Sequence, residues 1–126
     1  MRILNQKNIM IVEDEPDHIE LIKLVLKHNN YNISSCMDGL ESVDIINNTM
    51  PDLVILDIML PGLSGFEVCR RIKQSPKTSG IPVIMISVKA EDEDKENGIK
   101  SGADLYLSKP FNFYDLVSNI KTLLKE

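Results

Sequence analysis

Short runs of apolar residues recur along the chain, and each is followed by a segment with helical periodicity. The clearest runs occupy residues 8–13, 52–57 and 81–86, a further run occupies residues 105–107, and a weaker run occupies residues 31–37. Strands that are apolar at consecutive positions are typical of a parallel sheet covered on both faces. Crossovers between parallel strands are right-handed, which places helices against the sheet. We therefore predict an α/β fold in which the five parallel strands of an open, doubly wound sheet alternate with five helices.

The helical segments carry local signals that help to place them. Pro16 suits the first turn of the first helix, where its missing N–H leaves no hydrogen bond unmade. Asn112 is a suitable N-cap for the last helix, with Asp115 three residues further on. The segment 89–101 differs, because Ile99 is its only large apolar residue. If that segment is helical, we expect it to pack weakly and to move.

Length and composition limit the class of protein. With 126 residues, 43% of them hydrophobic, the chain suits a single domain over residues 1–126 with a short N-terminal extension over 1–7. A formal charge of -5 disfavours nucleic-acid binding, which depends on neutralising phosphates. The sequence shows neither a signal peptide nor an apolar run of membrane-spanning length, so we expect a cytoplasmic protein. Cys36 and Cys69 lie far apart and are expected to be buried free thiols.

Polar residues follow the apolar runs at the points where the predicted strands end. Glu13 and Asp14 follow the first run, Asp57 closes the third, Ser87 follows the fourth and Lys109 follows the fifth. In an open α/β sheet, ligands bind beyond the carboxyl ends of the strands. We therefore expect three acids, a hydroxyl and an ammonium to meet at one edge of the sheet.

This set of side chains is suited to phosphoryl transfer. Carboxylates held close together raise one another's pKa unless a cation compensates, and a few carboxylates with water are typical ligands of magnesium. An ammonium and a hydroxyl would complete a receptor for a tetrahedral dianion. Because no histidine lies at a strand end, the nucleophile is predicted to be a carboxylate, and Asp57, alone at its strand end, is the best candidate. His18 and His28 lie on the first helix, where we expect solvated or capping roles.

Four segments together resemble the receiver domain of two-component response regulators, which has the chemotaxis-regulator type of flavodoxin-like fold. The resemblance covers nearly the whole chain, from about Asn8 onward. It rests on Ile-Val-Glu-Asp-Glu-Pro at 11–16, Pro-Asp-Leu-Val-Ile-Leu-Asp-Ile-Met-Leu-Pro-Gly at 51–62, Ser87, and Gly-Ala-Asp-Leu-Tyr-Leu-Ser-Lys-Pro-Phe at 102–111. The family's fold implies the strand order 2-1-3-4-5.

The resemblance also implies a role for each residue of the acidic edge. Asp57 would accept a phosphoryl group from a phosphohistidine on a sensor histidine kinase or a histidine phosphotransfer protein. Glu13, Asp14, Asp57 and the main-chain carbonyl of Met59 would hold a magnesium ion, and Lys109 would pair with the phosphoryl oxygens. The domain would act as a phosphorylation switch and not as an enzyme, apart from phosphorylating itself from small phosphodonors and slowly losing the phosphoryl group.

The same resemblance implies a way to transmit the signal. Ser87 would move to hydrogen-bond the phosphoryl group, and Tyr106 would swing inward into the space that Ser87 leaves. This change would reshape the face formed by the last two helices and the last strand, where a downstream protein or a second copy of the chain would bind. We expect no nucleic-acid or membrane contact by this domain. The Lys109-Pro110 bond is expected to be cis.

Three alternative functions use overlapping features. A haloacid-dehalogenase-like phosphatase also has a strand-end Asp and magnesium, but it needs a second Asp two residues later, where this chain has Met59. A flavodoxin-type flavin carrier needs a phosphate-binding loop after the first strand, where the acids at 13–15 would repel the phosphate. The third alternative is a degenerate receiver that acts only as a scaffold, and the complete set of acids, hydroxyl and lysine argues against it.

One residue departs from the usual pattern of the family. The residue after Ser87 is usually Ala, and here it is Val88. We hypothesise that Val88 narrows the access of water and small phosphodonors to the site and slows their reactions. The hypothesis fails if Val88→Ala changes neither the dephosphorylation rate nor the rate of labelling by acetyl phosphate.

Overall fold

A computed structural model of the protein describes residues 6–89 and 91–126. Within these residues, five strands alternate with five helices, as the sequence predicts. The strands are β1 (Asn8–Val12), β2 (Asn32–Cys36), β3 (Leu53–Asp57), β4 (Val83–Ser87) and β5 (Leu105–Ser108). The helices are α1 (Pro16–His28), α2 (Gly39–Thr49), α3 (Gly65–Gln74), α4 (Asp92–Lys100) and α5 (Phe113–Leu123). Most of the extension predicted over residues 1–7 lies outside the described residues.

The strands form one parallel sheet in the order β2-β1-β3-β4-β5, which confirms the predicted fold class and strand order. Every residue of β3 and β4 is buried, because these strands have neighbours on both sides and helices above and below. The edge strands are less covered, and in β2 exposed residues alternate with more buried ones. The position of β2 at the edge explains why the run at 31–37 is weaker in the sequence.

Alternate strand residues feed two hydrophobic layers, one on each face of the sheet. One layer packs against α1 and α5 through residues such as Ile22 and Leu116, and the other packs against α2 and α3 through Ile46 and Val68. A fully buried aliphatic side chain contributes about 1.5–3 kcal/mol relative to an exposed one. These two layers therefore hold four of the five helices against the sheet and fix the positions of the strand ends.

Helix α4 packs less extensively against the sheet than the other four helices do. Gly98 is the one residue of this helix that is buried, and Ile99, its large apolar residue, is 55% exposed. The first turn carries three acids, which the positive end of the helix dipole favours. The structure thus confirms a helix with little packing in the segment 89–101.

Several local predictions are also confirmed. Pro16 is the first residue of α1, and the Asn112 side chain caps α5 by accepting from the backbone N–H groups of Tyr114 and Asp115. Cys36 and Cys69 are both buried free thiols. Among the described helices, none combines the length and the apolar character needed to cross a membrane.

Candidate functional site

The carboxyl ends of β1, β3 and β5 deliver charged residues to a single open cleft. Glu13 directly follows β1, Asp57 ends β3 and Lys109 directly follows β5. The cleft has a volume of about 230 Å³ and is lined by Glu13, Asp14, Glu15, Asp57, Met59, Val88 and Lys109. It lies beside β1 and β3, where the order of the strands reverses and where sheets of this kind bind their ligands.

Lys109 joins the two buried carboxylates of the cleft. Its ammonium donates to Asp57 Oδ2 and to Glu13 Oε1, both at 2.7 Å. Glu13 is 0% exposed and Asp57 is 5% exposed, so water contributes little to stabilising either charge. One ammonium therefore faces two buried carboxylates, and the neighbouring Asp14 adds a third acid at the exposed side of the cleft.

The pKa values of these groups reflect their burial together with the contacts that they make to one another. Burial raises the pKa of the Asp57 carboxyl above its ordinary value, and nearby Glu13 adds to the effect despite the hydrogen bond from Lys109. Burial acts in the same direction on Glu13, but hydrogen bonds from Lys109 and His18 outweigh it and lower the Glu13 pKa. Burial would lower the pKa of Lys109, yet its bonds to Asp57 and Glu13 raise it, so the ammonium stays charged.

The loop after β3 holds the Asp57 carboxylate on its other side. Asp57 Oδ1 accepts the backbone N–H of Met59 at 2.9 Å. The start of α3 closes on the same backbone, because the Gly65 N–H donates to the Ile58 carbonyl at 2.8 Å. A Cβ at Gly65 would lie only 2.3 Å from the Asp57 carbonyl oxygen, so this close approach requires glycine. Each Asp57 oxygen thus has a defined donor.

The acids of the cleft fit a hard divalent cation. One carboxylate oxygen from each of Glu13, Asp14 and Asp57 lies within 4.8 Å of the other two. All three are oxygen ligands, Asp14 is exposed and offers a path of entry, and the single Lys109 ammonium faces the two buried carboxylates of Glu13 and Asp57. Such donor sets suit magnesium, which keeps several waters.

Ser87 and Tyr106 lie beside the cleft and meet at a shared residue. Ser87 is fully buried, and its Oγ accepts the Lys89 N–H at 3.1 Å. The Tyr106 hydroxyl donates to the Lys89 carbonyl at 2.5 Å. In the described residues, neither hydroxyl is bonded to Asp57 or Glu13. The roles predicted for these two residues in signalling therefore remain predictions.

The solvated or capping role expected for the histidines is wrong for His18. Its Nδ1 lies 2.5 Å from Glu13 Oε1, and its ring makes an edge contact with Phe111 at a centroid distance of 5.7 Å. His28, at the other end of α1, is exposed as expected. Helical periodicity places His18 near the start of α1 but does not indicate that its ring turns toward Glu13.

The segment that follows Lys109 also matches what the resemblance implies. The Lys109-Pro110 peptide bond is cis. Phe111, the next residue, contacts His18 on one side and Phe113 of α5 on the other, at centroid distances of 5.7 and 5.3 Å. This loop therefore links the end of β5 to both α1 and α5.

Comparison with known proteins shows which family the chain is similar to. The family model of the response regulator receiver domain matches residues 9–121. The response regulator ArlR of Staphylococcus aureus is 40% identical over 117 residues, which cover 93% of this chain and 52% of ArlR. The DNA-binding dual master transcriptional regulator RpaA of Synechocystis is 35% identical over 117 residues, which cover 93% of this chain and 48% of RpaA. The chain therefore spans about half the length of these curated relatives.

A solved structure extends the comparison to the cleft. The receiver domain of a sensor histidine kinase from Pseudomonas aeruginosa has a TM-score of 0.89 and 26% identity, with coverage of 97% of this chain and 100% of that one. That receiver domain has a magnesium ion coordinated in its active-site cleft. These comparisons give the phosphatase alternative no support.

Proposed function

The chain belongs to the family of response regulator receiver domains of two-component systems, and on that premise we propose that Asp57 is its phosphoacceptor. The observation that carries the proposal is the pair of contacts on the Asp57 carboxylate. Oδ2 accepts from the Lys109 ammonium at 2.7 Å, and Oδ1 accepts the Met59 N–H at 2.9 Å. Asp57 thus lines an open cleft and has a cationic partner for an incoming phosphoryl group.

In the proposed transfer, an Asp57 oxygen attacks the phosphorus of a phosphohistidine on a sensor histidine kinase or a histidine phosphotransfer protein. A P–O bond forms while the P–N bond breaks, and the imidazole leaves with the electron pair of the broken bond. Lys109 lies within reach of both the carboxylate and the space beside it, so its charge can follow the charge that develops on the phosphoryl oxygens. The same chemistry would allow labelling by acetyl phosphate and slow hydrolysis.

We propose that Glu13, Asp14, Asp57 and the main-chain carbonyl of Met59 hold a magnesium ion for this transfer. The three clustered carboxylate oxygens support the assignment, as does the magnesium ion in the cleft of the Pseudomonas aeruginosa receiver. A bound divalent cation would neutralise charge on the phosphoryl oxygens. This chain's own residues then have to keep the carboxylates ionised and oriented, which the contacts of Lys109 and Met59 favour.

The signal would leave through the face formed by α4, β5 and α5. We propose that Ser87 turns from the Lys89 N–H toward the phosphoryl group and that Tyr106 then moves inward. A downstream protein or a second copy of the chain would bind the altered face, with no nucleic-acid or membrane contact by this domain. Amide chemical shifts recorded before and after phosphorylation test the idea, and it fails if the changes stay confined to the cleft.

We further assign residues 1–126 to a single receiver domain with a short extension over 1–7. The family match over residues 9–121 supports the extent of the domain. RpaA is described as DNA-binding, but about half of that protein lies outside the matched region, so its DNA binding is not carried over to this chain.

Labelling with acetyl phosphate tests the phosphoacceptor directly. We expect one phosphoryl group per chain in the presence of magnesium, none after chelation, and none in Asp57→Asn. Asp52→Asn is the matched control, because Asp52 lies just before the opposite end of β3, where its carboxylate accepts the Asn8 N–H. Intact-protein mass spectrometry gives the stoichiometry, and labelling of Asp57→Asn at the unsubstituted rate would overturn the assignment.

A further inference from the structure

The Glu13 carboxylate is held by three partners at once. Its carboxylate is fully buried. Oε1 accepts from Lys109 Nζ at 2.7 Å and is paired with His18 Nδ1 at 2.5 Å, while Oε2 accepts the Asp14 N–H at 3.1 Å. A buried carboxylate needs such donors, because it has no water to replace them.

Of these partners, Lys109 also interacts with a second carboxylate. The same ammonium also donates to Asp57 Oδ2, and in the proposed function it follows the charge of the phosphoryl group. An ammonium on a flexible stem that is drawn toward a new anion cannot hold Glu13 in the same way. His18 carries no such second duty among the described hydrogen bonds, so it can keep Glu13 in place throughout the transfer.

The surroundings of His18 fix the direction from which it reaches Glu13. It lies in the first turn of α1, which begins at Pro16 directly after the cleft loop. Its ring meets the edge of Phe111 at an interplanar angle of 63°, and its side chain is only 19% exposed. Because an ionised carboxylate can only accept, the proton of this hydrogen bond belongs to His18 Nδ1.

We propose that His18 is a positioning residue of the metal site: its Nδ1–H holds the Glu13 carboxylate in the place from which it serves a divalent cation shared with Asp14 and Asp57. The inference rests on the proposed function for the identity of that site. Hydrogen-bond partners of metal-binding carboxylates orient them, and losing one typically weakens metal affinity by about 10–100-fold.

The test compares three substitutions in the full chain and uses magnesium alone as the probe. His18→Phe keeps a ring against Phe111 but removes the donor, and His18→Asn restores an amide N–H close to the position of Nδ1. His28→Phe is the matched control, because His28 lies on the same helix but is exposed. Magnesium affinity is measured by calorimetry without a phosphodonor, in one buffer for all variants.

We expect His18→Phe to bind magnesium about tenfold more weakly, with His18→Asn near the unsubstituted affinity and His28→Phe unchanged. The magnesium concentration for half-maximal acetyl phosphate labelling should rise by the same factor, while the rate at saturating magnesium changes little. A residue with a merely structural role would lower the urea midpoint without this selective change in affinity. If His18→Phe does not fold, His18→Leu removes the donor with less bulk and carries the same comparison.

Unchanged magnesium affinity in His18→Phe, equal weakening in His18→Asn and His18→Phe, or no magnesium binding by the unsubstituted chain would each overturn the inference. The first two outcomes leave the proposed function intact, whereas the third would also remove the magnesium site of that function. If the affinity shift occurs but phosphoryl label is found elsewhere than Asp57, the positioning role of His18 stands and the phosphoacceptor assignment falls.

Discussion

The two sides of the cleft are built in opposite ways. On the side of α1 and β1, buried groups are tied together by short bonds, from His18 to Glu13, then to Lys109 and to Asp57. On the side of α4, the helix buries only Gly98, and Lys89, which precedes the helix, is held by hydrogen bonds to Ser87 and Tyr106. The charged groups of the first side are held by several short contacts, whereas α4 makes few buried contacts.

The difference fits what the proposed function requires of each side. Transfer of a phosphoryl group needs charged groups held within a few tenths of an ångström, which requires burial and several bonds per group. A surface that reports a chemical event must have two arrangements of similar free energy, so extensive packing would work against it. The most sensitive substitutions for chemistry should therefore lie on the α1 side, and those for signal transmission on the α4 side.

The largest expected effect comes from removing the cation of the α1 side. Lys109→Gln should slow acetyl phosphate labelling of Asp57 on the order of 100-fold, because a fixed charge at the transferring group is lost. Lys89→Gln is the matched change on the α4 side, where the side chain is exposed, and it should change the rate only a few-fold. Initial labelling rates at saturating magnesium measure the effect of each substitution. An equal decrease in rate for the two variants would contradict the proposed difference between the two sides of the cleft.

A smaller effect is expected from filling the one buried position of α4. A Cβ at Gly98 would lie 2.8 Å from Tyr106 Cδ2 and 3.2 Å from Met85 Sδ. Gly98→Ala should therefore push the Tyr106 ring outward and break its bond to the Lys89 carbonyl. Crowding of this kind lowers the free energy of unfolding by about 1–3 kcal/mol, and the higher helix propensity of Ala offsets about 1 kcal/mol of that loss.

Gly80 provides the control for that substitution, because a Cβ there meets nothing within 4 Å. Urea unfolding should show a lower stability for Gly98→Ala and little change for Gly80→Ala, and near-ultraviolet circular dichroism should report the displaced tyrosine. Labelling of Asp57 should remain close to normal in both variants. A labelling rate that falls together with stability in Gly98→Ala would show that the two sides are not separable.

The smallest effect is expected at the boundary between the two sides. Val88 lines the cleft and is 64% exposed, a position that is consistent with the hypothesis that it narrows the approach to Asp57. Val88→Ala should speed both acetyl phosphate labelling and loss of the label by a few-fold, since it removes bulk without touching a charged group. Rates that both stay unchanged would contradict this role.

Much of the fold could be predicted because its signals are local. Consecutive apolar residues in β3 and β4, the Pro at the start of α1 and the Asn before α5 each predict their element without knowledge of the rest. The edge strand β2 has a weaker pattern because only part of it is covered. The meeting of Glu13, Asp57 and Lys109 also followed from the sequence, since parallel strands bring their carboxyl ends to one edge.

The interaction between His18 and Glu13 could not be predicted in the same way. Helical periodicity places His18 on α1, but the direction of its ring depends on the angle at which α1 leaves the sheet and on the edge contact with Phe111, which lies more than ninety positions away in the chain. The hydrogen bonds of Ser87 and Tyr106 to the Lys89 backbone could not be predicted from the sequence either. They depend on how close Lys89, just after β4, comes to Tyr106 of β5.

The sequence by itself determined the order of the elements, the parallel sheet and the set of chemical groups at its edge, because these follow from apolar patterning and from the direction of parallel strands. Only the tertiary structure decided which groups bond to which. Lys109 reaches Glu13 across 96 positions, and one ammonium serves two carboxylates while a histidine supports one of them. Such choices depend on distances of less than 3 Å and on burial, which are properties of the packed chain and not of any segment alone.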